Sequence, residues 1–176
     1  MKRFLIGVLA ALALVTTAAA QAPRDPENLL YLDVEGGRVT IILRPDLAPK
    51  HVARIKELTR QKFYDGLLFH RVIDGFMAQT GDPKGNGTGG SGTKLPAEFS
   101  REPFVRGTIG AARTSDPNSA DSQFFIMFAP ATHLNGQYTV WGRVIQGMEL
   151  IDKVPKGEPP RTPGRILKLQ VAADVK

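Results

Sequence analysis

The sequence predicts a mainly β domain, a sheet closed into a barrel and covered by two helices. Three observations predict it. Short β-rich runs recur along the chain between Gly- and Pro-containing turns. Only two segments carry a helical pattern. No internal repeat or linker divides the chain, and many short strands with few helices favour a closed sheet over a layered α/β arrangement.

Taken in order, the first twenty residues stand apart. Lys2 and Arg3 precede an apolar run from Phe4 to Val15, and Thr16 to Ala20 is small and ends Ala18-Ala19-Ala20. This is the pattern of a cleaved signal peptide over residues 1–20, with the alternative of cleavage after Ala22; the run is shorter than the roughly 20 residues of a bilayer span. It predicts a periplasmic or otherwise secreted protein with no stable membrane association. Residues 21–28, with Pro23 and Pro26, read as a flexible leader, and the domain then occupies 29–174. Leu29 to Val34 and Arg38 to Arg44 read as strands joined by a hairpin at Glu35-Gly36-Gly37. Asp46 to Gln61 reads as a helix, with Asp46 as its cap, Pro49 in its first turn, and Val52, Ile55 and Leu58 on its buried face. Further strands are expected over 67–73, 76–79, 107–112, 123–128, 138–144 and 165–172, a polar loop over 81–94, and a short second helix over 147–154.

Composition removes several function classes. There is no cysteine, so disulfides and an N-terminal lipid-bearing thiol are absent. The net charge of +6 becomes about +4 without Lys2 and Arg3, and the densest cations, Lys50 to Lys62, alternate with apolar residues along the predicted helix. That is a solvated helix face, and no nucleic-acid partner is expected. His51, His70 and His133 have no metal-like spacing, so no metal or other cofactor is expected. No G-x-S-x-G elbow exists, and Gly85 to Gly90 matches G-x-G-x-x-G without the strand and helix that a phosphate site needs.

Two segments combine large apolar residues with isolated polar ones, 69–79 and 122–126. Alternation places Phe69, Arg71 and Ile73 on one face, with His70 and Val72 on the other, and it puts Phe124 in the core opposite Phe125. An arginine within such a run needs a partner or a purpose. Its structural alternative is an ion pair with Asp74 or Glu98.

Four ordered segments, 69–82, 86–90, 122–126 and 134–142, resemble the signature segments of the cyclophilins, and the resemblance covers about 30–171. It implies an eight-stranded antiparallel barrel capped by two helices. It implies a monomeric peptidyl-prolyl cis/trans isomerase that acts on proline-containing segments of unfolded or flexible proteins and assists the folding of exported ones. Arg71, Gln79 and Phe125 would be catalytic. Phe76, Met77 and Leu134, with Phe125, would wall the proline pocket. Gly87, Ala112 and Arg113 would line the peptide groove, and His133 and Tyr138 would flank it. His133 stands where the best-known eukaryotic members have Trp, and Tyr138 where they have His, so weak cyclosporin binding is expected. The rival readings are a binding module with little turnover and, more remotely, a hydrolase.

Overall fold

The computed structural model describes residues 25–175. The signal-like segment 1–20 lies outside the described residues, as does 21–24 of the leader. The rest of that leader is not flexible coil. Pro26–Asn28 forms a turn of 3-10 helix with Asp25 accepting from the Glu27 N–H at 3.0 Å, and Glu27 pairs with both Lys56 and Arg60 at 2.8 Å.

The strands are β1 Leu29–Val34, β2 Gly37–Leu43, β3 Arg71–Ile73, β4 Met77–Thr80, β5 Thr108–Ala111, β6 Phe124–Met127, β7 Val140–Gln146 and β8 Ile166–Val171. All pairings are antiparallel, and the order across the sheet is β3-β4-β6-β5-β7-β2-β1-β8. The first hairpin turns through Glu35 and Gly36, with Val34 opposite Gly37; Gly36 takes φ +92°, which a glycine adopts without strain. The expected closure is only partial. The edges β3 and β8 do not pair with each other; isolated bridges join residues that precede them, Leu68 to Arg165, and tie β3 to the loop before β8, Val72 to Gly157, so the sheet is a curled half-barrel. The loop before β8 carries proline at 155, 159, 160 and 163, none of which can donate to a ladder.

Helix α1, Pro49–Arg60, buries the expected Val52, Ile55 and Leu58, together with His51 and Thr59. Three of its cations are paired: Lys56 and Arg60 meet Glu27, Arg60 also meets Asp174, and Arg54 meets Glu57. Helix α2, Met148–Asp152, is shorter than expected and buries Ile151. Two apolar clusters result. The larger fills the curl beneath the helices and includes Phe69, Val72, Phe124, Ile126 and Trp141; the smaller includes Met77, Phe104, Phe125, Met127 and Leu134. Strand β6 serves both, because its side chains alternate between the two faces. Phe69 departs from the expected face. It precedes β3, its N–H bonds the Gly164 carbonyl at 2.9 Å, and its ring joins Val72 in the larger cluster, so alternation holds only within 71–73.

The cap of α1 is also not the expected one. Asp46 binds Arg44, and the N-cap position is Ala48, which offers no side-chain acceptor. Glu98 supplies the carboxylate instead: its oxygens accept from Lys50 N–H and His51 N–H, each at 3.0 Å, and lie 2.7 Å from His51 Nδ1. Burial opposes the charge on Glu98, but the His51 ring and the two N–H groups outweigh it and hold the carboxyl below its ordinary 4.5. Burial holds His51 neutral, below its ordinary 6.5, against the pull of Glu98. Both groups therefore contribute stability that is present above those ordinary values and lost as pH falls through the folded-state ones. Glu98→Ala removes two caps and leaves a buried imidazole unpaired. It should cost about 2–3 kcal/mol and lower Tm by roughly 4–10 °C in a thermal melt; an unchanged Tm would assign the cap to water.

Candidate active site

Three adjacent strands bring one row of side chains to the same face. Arg71 of β3 lies opposite Gln79 of β4, and Gln79 lies opposite Phe125 of β6. The row continues to Gly110 of β5, opposite Phe125. A Cβ at Gly110 would lie 2.5 Å from Phe125 Cζ and 2.7 Å from Phe104 Cε1. The absent side chain is what admits these two stacked rings, 5.7 Å apart, beneath the site.

Above this floor is a pocket of about 490 Å³ lined by Arg71, Phe76, Met77, Gln79, Ala112, Arg113, Phe125, His133, Leu134, Gln137 and Tyr138. Met77, Phe125 and Leu134 are buried, while His133 is exposed on the rim and stacks on Phe76 at 5.9 Å. Tyr138 meets Phe125 edge-on at 5.7 Å. Arg113 lies 4.4 Å from the Tyr138 ring centroid, and its guanidinium donates to the Gln137 and Thr114 carbonyls. A second depression of about 480 Å³ adjoins the first and shares Gln79, Ala112 and Arg113 with it. Gly87 lines this second depression, not the pocket. The Ala112 N–H donates to the Gln123 carbonyl at 2.9 Å.

A chain of hydrogen bonds runs along the groove. Arg71 Nε donates to Glu158 at 2.7 Å, and its Nη1 lies 3.4 Å from Gln79 Oε1. Gln79 Nε2 donates to Gln123 Oε1 at 2.9 Å, and Gln123 Nε2 donates to the Gly87 and Gly89 carbonyls. Beneath the glycine loop the buried Asp82 accepts from Lys84, Asn86 and Gly87 N–H. Burial works against its charge, but backbone donors hold its carboxyl below the usual range. The ion-pair partner of Arg71 is thus Glu158, and neither Asp74 nor Glu98. Sequence reasoning misses Glu158, Gln123, Gln137, Phe104 and Gly110 as site residues. Gln123 lies within a matched segment, and a glycine inside a predicted strand signals close approach. Among the described residues, no group of three or more His, Asp or Glu side chains could hold a metal ion.

Residues 29–171 match the family described as cyclophilin type peptidyl-prolyl cis-trans isomerase/CLD. The chain belongs to the cyclophilin family. This cyclophilin is 54% identical over 179 residues to a probable peptidyl-prolyl cis-trans isomerase of Brucella suis, covering 92% of this chain and 90% of the relative. It is 39% identical to peptidyl-prolyl cis-trans isomerase B of Bacillus subtilis, over 73% of this chain and 90% of that one. A crystal structure of a cyclophilin from Hirschia baltica superimposes with TM-score 0.78 at 28% identity, over 86% of this chain and 76% of that one. A cyclophilin type isomerase of Cryptosporidium parvum, crystallised in the presence of the dipeptide Ala-Pro, gives 0.76 at 28% identity, over 81% of this chain and 98% of that one. The activity of this cyclophilin is peptidyl-prolyl cis/trans isomerisation.

Proposed function

We propose that this cyclophilin turns X-Pro bonds in exported, incompletely folded proteins, with the proline ring held in the pocket floored by Phe125 and with Arg71 as the catalytic donor. The observation that carries this reading is the row Arg71, Gln79, Phe125, which sets a guanidinium beside an apolar socket. The crystallisation of a relative with Ala-Pro supports the same ligand class.

The chemistry is that of the amide. Rotation must overcome loss of resonance, about 18–20 kcal/mol, and breaks no covalent bond, so neither general acid nor general base is needed. In the twisted state the prolyl nitrogen becomes pyramidal and gains a lone pair. A fixed donor aimed at that nitrogen favours the twisted state over the planar one, and such differential stabilisation is what accelerates a reaction. Arg71 offers several donors in a rigid planar fork. Phe76, Met77, Phe125 and Leu134 hold the ring while the preceding residue swings. Gln79 anchors substrate backbone from a position fixed by Gln123. Gly87, Ala112 and Arg113 guide the flanking peptide through the second depression. A coupled peptide-isomerisation assay on the purified protein tests the activity directly; binding without turnover would favour a holding module instead.

Export rests on the pattern of Lys2 to Ala20. Among the described residues no helix is long and apolar enough to cross a membrane. Mass spectrometry of the protein from the periplasm or medium should find an N-terminus at or near Gln21. Recovery of the intact Met1 terminus from the membrane fraction would overturn the reading.

A further inference from the structure

We propose that Glu158 is a positioning residue for the isomerase reaction: it holds the Arg71 guanidinium in the orientation that presents its free donors to the pocket. This rests on the reading of Arg71 as the catalytic donor.

Arg71 sits on the edge strand β3 with its side chain 41% exposed, so packing alone does not fix it. An unrestrained arginine spreads over many rotamers, whereas a donor that acts on a transition state must already be in place. Two contacts restrain it. The contact from Nη1 to Gln79 is 3.4 Å, at the outer limit of a hydrogen bond, while the Nε bond to Glu158 is 2.7 Å. Glu158 is therefore the stronger anchor. It engages Nε, the nitrogen nearest the aliphatic stem, and so fixes the plane of the group. Among the described residues Nη2 has no hydrogen-bond partner, and it stays available to a ligand.

The backbone at Glu158 is itself held. Gly157 exchanges two 2.8 Å hydrogen bonds with Val72, the residue after Arg71. Gly157 takes φ +146°, and a Cβ there would lie 2.5 Å from Pro160 Cα, so only glycine fits this turn. Pro159 and Pro160, immediately after Glu158, restrict the backbone on its other side. Glu158 makes no other side-chain hydrogen bond among the described residues. A half-exposed carboxylate, fixed beside β3 and spent wholly on Arg71, is accounted for by positioning.

The test is Glu158→Ala in the full-length protein, in wild-type and Arg71→Ala backgrounds, with kcat and KM measured separately. In the wild-type background kcat should fall roughly tenfold with KM little changed, because a misplaced donor weakens the transition state rather than ground-state binding. In the Arg71→Ala background the same change should cost less than about twofold, because its only route of action is gone. The Nε–Hε cross-peak of Arg71 should shift or broaden in Glu158→Ala. Wild-type kcat in Glu158→Ala, alongside a crippled Arg71→Ala, would overturn the positioning role and leave the arginine reading standing. Equal losses in both backgrounds would also overturn it, since Glu158 would then act without Arg71. An unimpaired Arg71→Ala would instead sink the arginine reading itself. Should turnover of Arg71→Ala fall below detection, an unmoved cross-peak would be the overturning result.

Discussion

Replacing Arg71 by alanine should lower kcat/KM by roughly 10²–10³ while leaving the fold nearly intact, by analogy with removal of one preorganised donor from an oxyanion hole. The two halves of this expectation have separate causes. Among the described residues that line the pocket, two other donors are engaged elsewhere: Gln79 already donates to Gln123, and Arg113 donates to the Gln137 and Thr114 carbonyls. The retention of fold comes from exposure. Arg71 and Glu158 are 41% and 51% exposed, and exposed ion pairs contribute about 0–1 kcal/mol. The Val72 to Gly157 backbone bonds that tie β3 to the closing segment do not depend on the Arg71 side chain. A peptide-isomerisation assay and a thermal melt on the same preparation decide it. Near-normal activity with a clearly lowered Tm would make Arg71 a structural ion-pair partner.

What is legible in the sequence, and what is not, separates along sequence distance. Strands, the α1 stripe and the split of Phe124 from Phe125 come from local periodicity, which is a property of neighbouring residues. The site segments are readable for a similar reason: Arg71 and Gln79 lie on one hairpin, and Phe125 lies within a recognisable run. The partners that orient these groups come from elsewhere in the chain. Glu98 caps a helix that begins almost fifty residues earlier, and it displaces the local candidate Asp46 because the latter is committed to Arg44. Glu158 reaches Arg71 only because the curl brings the proline-rich segment against β3. Such pairings are set by topology, and no periodicity near either residue announces them. The error at Phe69 has the same origin. Local alternation extends the strand backwards through residues that instead bridge to Gly164 and Arg165. Gly110 is intermediate: its position in a strand hints at close approach, but only the crossing of Phe104 and Phe125 shows what approaches.

His133→Trp should tighten cyclosporin binding by roughly 10- to 150-fold and change peptide turnover little. The resemblance to the family implies that the drug lies across the rim of the proline pocket, where its best-known eukaryotic members present an indole. On that resemblance the place falls to His133, an exposed imidazole stacked on Phe76 at 5.9 Å and 29°. An imidazole offers less apolar area than an indole and is better hydrated, so covering it with an apolar ligand gains less. One large aromatic contact is worth about 1.5–3 kcal/mol, which gives the fold-change stated. The stack on Phe76 leaves room for the larger ring to lie on the same face, since His133 is exposed and the 3-10 turn Thr132–Leu134 buries only Leu134. Turnover should be spared because the proposed proline socket is floored by the buried Met77, Phe125 and Leu134, while the substitution falls on the exposed rim, where it keeps an aromatic ring beside Phe76. Calorimetric titration of both proteins with cyclosporin, beside the peptide assay, measures the two effects separately. Equal drug affinities would show that the rim residue is not the discriminating contact. Attention would then pass to Tyr138, the other rim position that departs from those members, whose ring is already held between Arg113 and Phe125.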